Sequence, residues 1–403
     1  MIKNSIDRDK LWTKDYVLIC CANFLLSFAF YLLIPTLPFY LIETMHASKT
    51  MVGIVLSCYT IAVLAIRPFS GFIADTFPRK PIYLIAYILF TLVFIGYFLA
   101  GNLAAFITLR IIHGLTFGML STSGNTLVID IMPASRRGEG LGYYGVMGNI
   151  AMATGPMTGL ILYETADFNW IFTASIIAGI TGLIFASIIR APKKLPQKKQ
   201  PVSLDRFILV KGLPAALMFM MVAIPYAMTS SYIALSVKEV NFTGNSGAFF
   251  SVMAAGMILS RLISGKRVDR GFITQNIAIG LIICLVGFTG EIFVRDVIQW
   301  NAIAGNILFY AIAACIGYGC GTVFPALNTF FINLAPNNRR ATANSTYLTG
   351  WDVGIGIGVY LGGYISEMKG FSFTYFTGTL LAALALLLYF TVVIPHFNKN
   401  RLR

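Results

Sequence analysis

The chain has 403 residues, of which 57% are hydrophobic and 11% are charged, and its mean hydropathy is +0.77. Soluble globular domains carry about 25% charged residues, so the composition excludes an ordinary soluble domain and predicts a membrane protein. A formal net charge of +14 would suggest a nucleic-acid partner in a soluble protein. The positions of the Lys and Arg residues along the chain therefore decide whether the net charge indicates a nucleic-acid partner.

Twelve apolar stretches are long enough to cross a roughly 30 Å hydrocarbon core as helices, at about 1.5 Å per residue. They lie near residues 16–41, 51–74, 81–100, 103–131, 139–163, 169–190, 207–236, 245–266, 275–294, 301–333, 341–364 and 372–394. The first is too long for a signal-peptide core and lacks a small-residue cleavage site, so we expect it to be retained. The pattern predicts an all-α membrane protein.

The positive charges are distributed unevenly around these spans. With both termini placed inside, and with cations at the cytoplasmic ends of spans counted as cytoplasmic, the cytoplasmic segments hold 23 Lys and Arg residues, the outer loops hold four and the span interiors hold three. This positive-inside pattern predicts a multi-pass protein of the plasma (bacterial inner) membrane with both termini in the cytoplasm. The net positive charge is thereby explained without a nucleic-acid partner.

The six cysteines lie in apolar spans without metal-ligand spacing. We therefore expect them to be packing residues, with no metal and no cofactor.

The polar segment RAPKKLPQKKQPVSLDR follows the sixth span and reads as a cytoplasmic linker. We predict an N-terminal six-helix bundle at 1–190, a linker at 191–206 and a C-terminal six-helix bundle at 207–403. The two halves are related in sequence. RPFSGFIAD from Arg67 matches RLISGKRVD from Arg261 at an offset of 194, and NTLVIDIMPASRR from Asn125 matches NTFFINLAPNNRR from Asn328 at an offset of 203. Parallel repeats of this kind place a substrate cavity between the halves.

The segment GFIADTFPRK resembles the signature G-x-x-x-D-R-x-G-R-K of the major facilitator superfamily, and the resemblance extends over essentially the whole chain. The segment keeps Gly71, Asp75, Arg79 and Lys80, and departs from the signature at Thr76 and Pro78. The resemblance implies two pseudo-symmetric six-helix bundles that alternate access to a central site. It also implies that Asp75 lies near the N-terminus of span eleven. A solvated turn is the alternative for this segment.

Span four contains LRIIHGLTFG, which resembles the R-x-x-x-G motif of the family through Arg110 and Gly114. An Arg at a helix centre costs about 2.5–3.5 kcal/mol in a bilayer, so Arg110 should face protein or water. It either pins helices together or handles protons or substrate. His113 shares its helix face and is either a proton-coupling residue or a hydrogen-bonded packing histidine.

Span five carries GYYGVMGNIAMATGPMTG, which resembles the antiporter motif G-x8-G-x3-G-P-x2-G-G of the exporting branches. Gly142, Gly155, Pro156 and Gly159 match, whereas Ala151 and Leu160 replace two glycines. Small residues permit close helix approach, and a proline bends the helix. The paired prolines of FYLLIPTLPFYL in span one also resemble the drug and sugar efflux branch. That branch often has an acidic residue in span one, which this chain lacks.

Asp352 lies in the otherwise apolar, aromatic and glycine-rich run TYLTGWDVGIGIGVY. It follows Arg340 by twelve residues, about 18 Å along a helix, and it is the one acid predicted at that depth. Its counterpart in the first half is Asn149. Apolar surroundings favour the protonated form of a carboxylate, so Asp352 is a proton-carrier candidate. It is alternatively a structural hydrogen-bond acceptor or a counter-ion for a cationic substrate. Asp130, at the cytoplasmic end of span four, is a further proton-coupling candidate.

The resemblance implies a cavity lined by spans one, four, seven and ten. Its polar and aromatic candidates are Asn23, Tyr31, Ser121, Ser123, Asn125, Tyr226, Ser230, Tyr232, Tyr310, Tyr318 and Asn328. Each could equally pack helix against helix. Such a lining suits amphipathic or lipophilic compounds.

We therefore expect a monomeric, proton-driven exporter of small amphipathic or lipophilic organic compounds. A proton-coupled importer of a sugar or similar solute is one alternative, and a lipid translocase or a transport-inactive sensor is another. An enzyme is not expected, because the sequence offers no nucleophile and base pair, metal cluster or nucleotide loop.

Overall fold

A computed structural model describes residues 10–133, 136–191, 208–336 and 340–402, and twelve of the helices in these ranges have 18 residues or more. The α-helices are α1 Lys14–Tyr31, α2 Leu37–Glu43, α3 Lys49–Thr76, α4 Arg79–Leu99, α5 Leu103–Ile131, α6 Arg137–Thr165, α7 Phe168–Ile188, α8 Leu213–Lys238, α9 Ala248–Asp269, α10 Ile273–Trp300, α11 Ala302–Asn333, α12 Arg340–Lys369, α13 Phe371–Leu388 and α14 Ile394–Asn400. A 3₁₀ turn at Val210–Gly212 precedes α8, and a π-helical turn at Tyr389–Val393 joins α13 to α14.

Ten helical segments among the described residues are long and apolar enough to cross a membrane. Helix α9 contributes a shorter apolar stretch, Ala248–Arg261, and α12 is made less apolar by the charged and polar residues along it. Both helices pack at the positions predicted for spans eight and eleven. The predicted all-α membrane fold is confirmed.

The first predicted span, 16–41, is wrong as a single helix. Helix α1 ends at Tyr31, and α2 begins at Leu37 with a proline in its first turn. The cause lies in Pro35 and Pro38, because a proline lacks the backbone N–H that a helix interior needs. The last span runs longer than predicted, to Asn400.

The helices form two bundles with matching internal contacts. In the first bundle α1 packs on α6 and α7, α3 packs on α5, and α4 packs on α5 and α7. In the second bundle α8 packs on α12 and α13, α9 packs on α11, and α10 packs on α11 and α13. The contacts correspond one for one, as a duplicated six-helix unit requires. Among the described residues the bundles are joined mainly by two pairs of helices, α3 with α12 and α6 with α9, with a smaller contact between α2 and α8.

The first and last described segments of the chain lie on one face of the molecule, here termed the terminal face. Asp15 at the start of α1 accepts a hydrogen bond from the backbone N–H of Arg190, just after α7, at 2.9 Å. Likewise the N–H of Leu402 donates to the carbonyl of Asn333 at the end of α11. The opposite end of the bundles, where α2 ends and α3 begins, is termed the far face. The predicted linker, 191–206, lies almost wholly outside the described residues.

Candidate functional site

An ion pair joins the two bundles at α3 and α12. Nη2 of Arg67 lies 2.5 Å from Oδ2 of Asp352, and the two side chains are 21% and 15% exposed. One turn further along α12, a Cβ on Gly356 would lie 3.3 Å from Thr60 of α3, so the two helices pass close together. Because the partners belong to different bundles, the pair can form only in arrangements that hold α3 against α12.

The repeat places a second arginine at the other contact between the bundles. Arg261 of α9 is the repeat counterpart of Arg67, and Asn149 of α6 is the counterpart of Asp352. Nη2 of Arg261 lies 3.4 Å from Oδ1 of Asn149. The two inter-bundle contacts are therefore related by the internal symmetry, with a carboxylate in one and a neutral amide in the other.

Arg110 of α5 is buried inside the first bundle, where its guanidinium carbon lies 4.6 Å from the ring centroid of Tyr59. Nε of Arg110 and the hydroxyl of Tyr59 are both buried without a hydrogen-bond partner among the described residues. Asp352 is a further neighbour of Tyr59. Tyr59 is therefore a shared neighbour of Arg110 and of the inter-bundle ion pair.

His113 is fully buried within the first bundle, and its Nδ1 lies 2.8 Å from the hydroxyl of Tyr97. Its ring centroid lies 4.5 Å from that of Phe90 and 5.1 Å from that of Phe94. This environment fits the packing alternative. Its role in proton coupling stays a prediction.

Asp130 is bound within one bundle, unlike Asp352. Nη1 of Arg79 lies 2.5 Å from Oδ1 of Asp130 and also donates to the carbonyl of Thr126. Lys80 donates to the carbonyl of Ser187 at 2.8 Å. These bonds attach the turn between α3 and α4 to α5 and α7. The side chain of Asp75 and the surroundings of Gly71 lie outside what the structure describes.

The antiporter-like motif of α6 faces α1 in its own bundle. A Cβ on Gly155 would lie 2.6 Å from Cβ of Tyr31, and one on Gly159 would overlap the carbonyl of Leu32. Pro156 lies between them, inside the helix. A Cβ on Gly142, in contrast, would have nothing within 4 Å. The motif therefore permits close packing of α6 on the end of α1, where the first span is interrupted.

Some of the predicted cavity residues lie between the bundles. The hydroxyl of Tyr226 on α8 lies 3.4 Å from Sδ of Met152 on α6, and Tyr226 also interacts electrostatically with Tyr31. Oδ1 of Asn328 is buried without a partner in the described part of the chain, whereas its repeat counterpart Asn125 is exposed. Ser121 and Ser230 are half-buried and each bonds to a carbonyl of its own helix.

Other cavity candidates are engaged elsewhere. Asn23 donates to the carbonyl of Tyr144 at 3.1 Å within the first bundle. Tyr232 donates to the carbonyl of Val359 at 2.9 Å within the second. Tyr310 accepts from the N–H of Asn245 and donates to its carbonyl, so it secures the loop before α9 at the far face. For these three residues the structure supports the packing alternative.

The far face carries a set of polar contacts between the bundles that the sequence analysis did not identify. Lys238 lies 2.8 Å from Glu43 and also contacts Tyr163. Lys49 lies 2.5 Å from Glu239, which in turn lies 3.1 Å from Arg295. Two further bonds cross the same boundary: Glu367 accepts from the N–H of Thr50 at 2.6 Å, and Ser246 donates to Glu164 at 3.3 Å. The far face is therefore closed.

Glu291 of α10 is an enclosed acid that the sequence analysis did not identify. The side chain is 1% exposed inside the second bundle, and its Oε1 has no hydrogen-bond partner among the described residues. Thr229 of α8 and Tyr375 of α13 are its polar neighbours. Asp352 is therefore not the one acid that is enclosed by the helices.

A family model described as Major Facilitator Superfamily matches residues 19–300 and 297–402. The chain is 22% identical to the staphylopine export protein of Staphylococcus aureus over 356 residues, which cover 85% of this chain and 87% of that protein. It is also 22% identical to the quinolone resistance protein NorA of Staphylococcus aureus over 357 residues, covering 86% and 88% of the two chains.

Among solved structures, the fold is similar to that of a POT family transporter in complex with 5-aminolevulinic acid. The TM-score is 0.79, the sequence identity is 14%, and the alignment covers 95% of this chain and 96% of that one.

Proposed function

The chain belongs to the major facilitator superfamily of transporters, which are not enzymes, and from that premise we propose that it exports small amphipathic or lipophilic organic compounds in exchange for protons. The observation that carries this proposal is the Arg67–Asp352 pair, because it places a protonatable group on the contact between two bundles that must move relative to each other. Export is favoured by relatives named as an export protein and as a quinolone resistance protein.

The proposed orientation places the terminal face in the cytoplasm, as the concentration of Lys and Arg there suggests. In the proposed organisation, bundles at 1–190 and 207–403 are joined by a cytoplasmic linker at 191–206. Because the described contacts between the bundles extend from the far face to the level of Arg67 and Arg261, substrate would enter from the cytoplasm in this arrangement. We propose that the transporter acts as a monomer and uses the proton gradient without a cofactor.

Asp352 would exchange its proton as follows. An ionised Asp352 attracts the guanidinium of Arg67 and holds α3 against α12. When the far face opens, water from that side reaches the carboxylate and protonates it, which removes the attraction. Return to the cytoplasm-facing arrangement then releases the proton on the other side, as Arg67 again competes for the carboxylate. One proton therefore moves inward for each cycle that carries substrate outward.

Inside-out vesicles containing the purified protein test this proposal. With an acidic lumen, an exporter should accumulate substrate in the lumen while protons leave, and collapsing the gradient should stop the accumulation. Dyes, quinolones, bile acids and sugars form a suitable panel. An importer would move substrate out of the lumen under the same gradient, and gradient-independent movement of every compound would contradict proton coupling.

A further inference from the structure

Arg261 has no acidic partner among the described residues, although it lies on a contact between the two bundles. Its described polar contact is the 3.4 Å approach of Nη2 to Asn149, and its Nε is buried without an acceptor. Its titratable neighbour is the phenol of Tyr347 on α12, which carries no charge at neutral pH. The side chain is half-buried, so the guanidinium is not enclosed by protein on all sides.

The repeat counterpart supplies an internal control for this position. Arg67 is neutralised by Asp352 at 2.5 Å, whereas the equivalent partner of Arg261 is an uncharged amide. An arginine inside a membrane protein is expected to pair with an acid, with backbone carbonyls or with a ligand, and it is commonly functional. No acid lies beside Arg261 in its described surroundings. One positive charge therefore remains available at this contact.

The chemistry of the available donors indicates what they would bind. A guanidinium presents five N–H donors in a planar fork that fits a carboxylate in a two-point contact. The amide of Asn149 can add a further donor to the same anion without neutralising the arginine. The contact joins α6 to α9, so an anion bound here touches both bundles.

We propose that Arg261 and Asn149 form a subsite for a carboxylate on the transported compound. The inference rests on the proposed transport function and narrows its substrate class to amphipathic organic anions and zwitterions that carry a carboxylate. Asp352 would then exchange protons at one of the two symmetry-related contacts. Arg261 would bind the anionic group of the substrate at the other.

Binding of 2-naphthoate and 2-naphthamide to the full chain in nanodiscs tests this subsite, with the signal of empty nanodiscs subtracted. The two probes share an aromatic body and differ in charge. We expect the wild type to bind the carboxylate about tenfold or more tightly than the amide, the range given by one charge-assisted contact. Equal affinities, or binding of neither probe, would overturn the proposal.

Three variants assign the preference to the subsite. Asn149→Asp supplies the acid that Arg67 already has in Asp352, so the preference for 2-naphthoate should disappear. Asn149→Leu, of similar size, removes the amide donor but leaves Arg261 unneutralised, so it should lower the preference only in part. Arg261→Gln should abolish the preference. A preference that persists in both Asn149→Asp and Arg261→Gln would contradict the proposal, with folding of each variant checked by size-exclusion chromatography.

These measurements use no pH gradient. A chain that fails to exchange protons in vesicles still gives a result here, and loss of the subsite leaves the role of Asp352 open to its own test.

Discussion

Arg67 and Asp352 lie 2.5 Å apart although they are separated by most of the chain and belong to different bundles. A charged pair inside a membrane protein offsets the high cost of burying either charge alone. Here that mutual neutralisation depends on the relative position of the bundles. In the proposed mechanism, protonation of Asp352 therefore weakens the contact between the two bundles.

Asp352→Asn should abolish proton-driven accumulation of substrate while leaving exchange of substrate across the membrane without a gradient within about threefold of wild type. The amide keeps the shape of the side chain but cannot exchange a proton. Asp130→Asn serves as the control, because Asp130 is bound to Arg79 within one bundle. Flux in inside-out vesicles measures both variants. Full gradient-driven accumulation by Asp352→Asn would remove this residue from the coupling mechanism.

Arg67→Gln should be more harmful than the double variant Arg67→Gln with Asp352→Asn. Removing one partner of this half-buried pair leaves an uncompensated charge, at a cost below the about 3–5 kcal/mol typical of a fully buried pair, whereas replacing both partners removes that cost. Thermal stability of the purified proteins measures the difference. If the effects of Arg67→Gln and Asp352→Asn, each measured alone, add up to the effect of the double variant, the two side chains do not interact energetically.

Opening of the far face should respond weakly to single charge removals and more strongly to combined ones. Exposed ion pairs contribute about 0–1 kcal/mol each, so Glu43→Gln should shift the equilibrium toward the open state by no more than about fivefold. Adding Glu239→Gln also breaks the contact with Lys49 and should shift it further. Spin labels at Thr44 and Thr243, in a background without native cysteines, report the separation by pulsed electron resonance. An unchanged distance distribution in the double variant would exclude these pairs as a closing element.

Gly363→Val should hinder closure of the far face and lower transport at least tenfold. A Cβ at this position would overlap the carbonyl of Lys49 and lie 2.9 Å from the backbone nitrogen of Gly53, so α3 and α12 could no longer approach. Gly142→Ala is the control because a Cβ there meets nothing within 4 Å. The same labelled positions and vesicle flux measure both. Wild-type flux in Gly363→Val would contradict a requirement for close backbone contact.

The sequence predicted the helices well because apolar length is a strong signal in a membrane protein. The repeat offsets also predicted that Asn149 and Asp352 occupy equivalent places. They could not predict that each faces an arginine of the opposite bundle, because that contact depends on how α3 meets α12 and α6 meets α9. The distances between these helices cannot be read from the sequence.

The position of a residue along its helix predicted its burial less well than apolar length predicted the helices. Glu291 lies toward one end of α10 but is enclosed by α8 and α13, and the sequence offered no periodic signal for these neighbours. Tyr310 was assigned to a cavity by its span, whereas the loop residue Asn245 engages its hydroxyl. The break between α1 and α2 was foreseeable from Pro35 and Pro38 alone.

Asn149 has an amide where its repeat counterpart Asp352 has an acid. The two symmetry-related contacts between the bundles therefore differ in chemistry. Each contact takes one residue from each half, so the duplication gives two equivalent contacts rather than two specialised halves. In the proposed division of roles, a substitution at the Arg261–Asn149 contact would alter which compounds are carried without altering proton exchange at the Arg67–Asp352 contact.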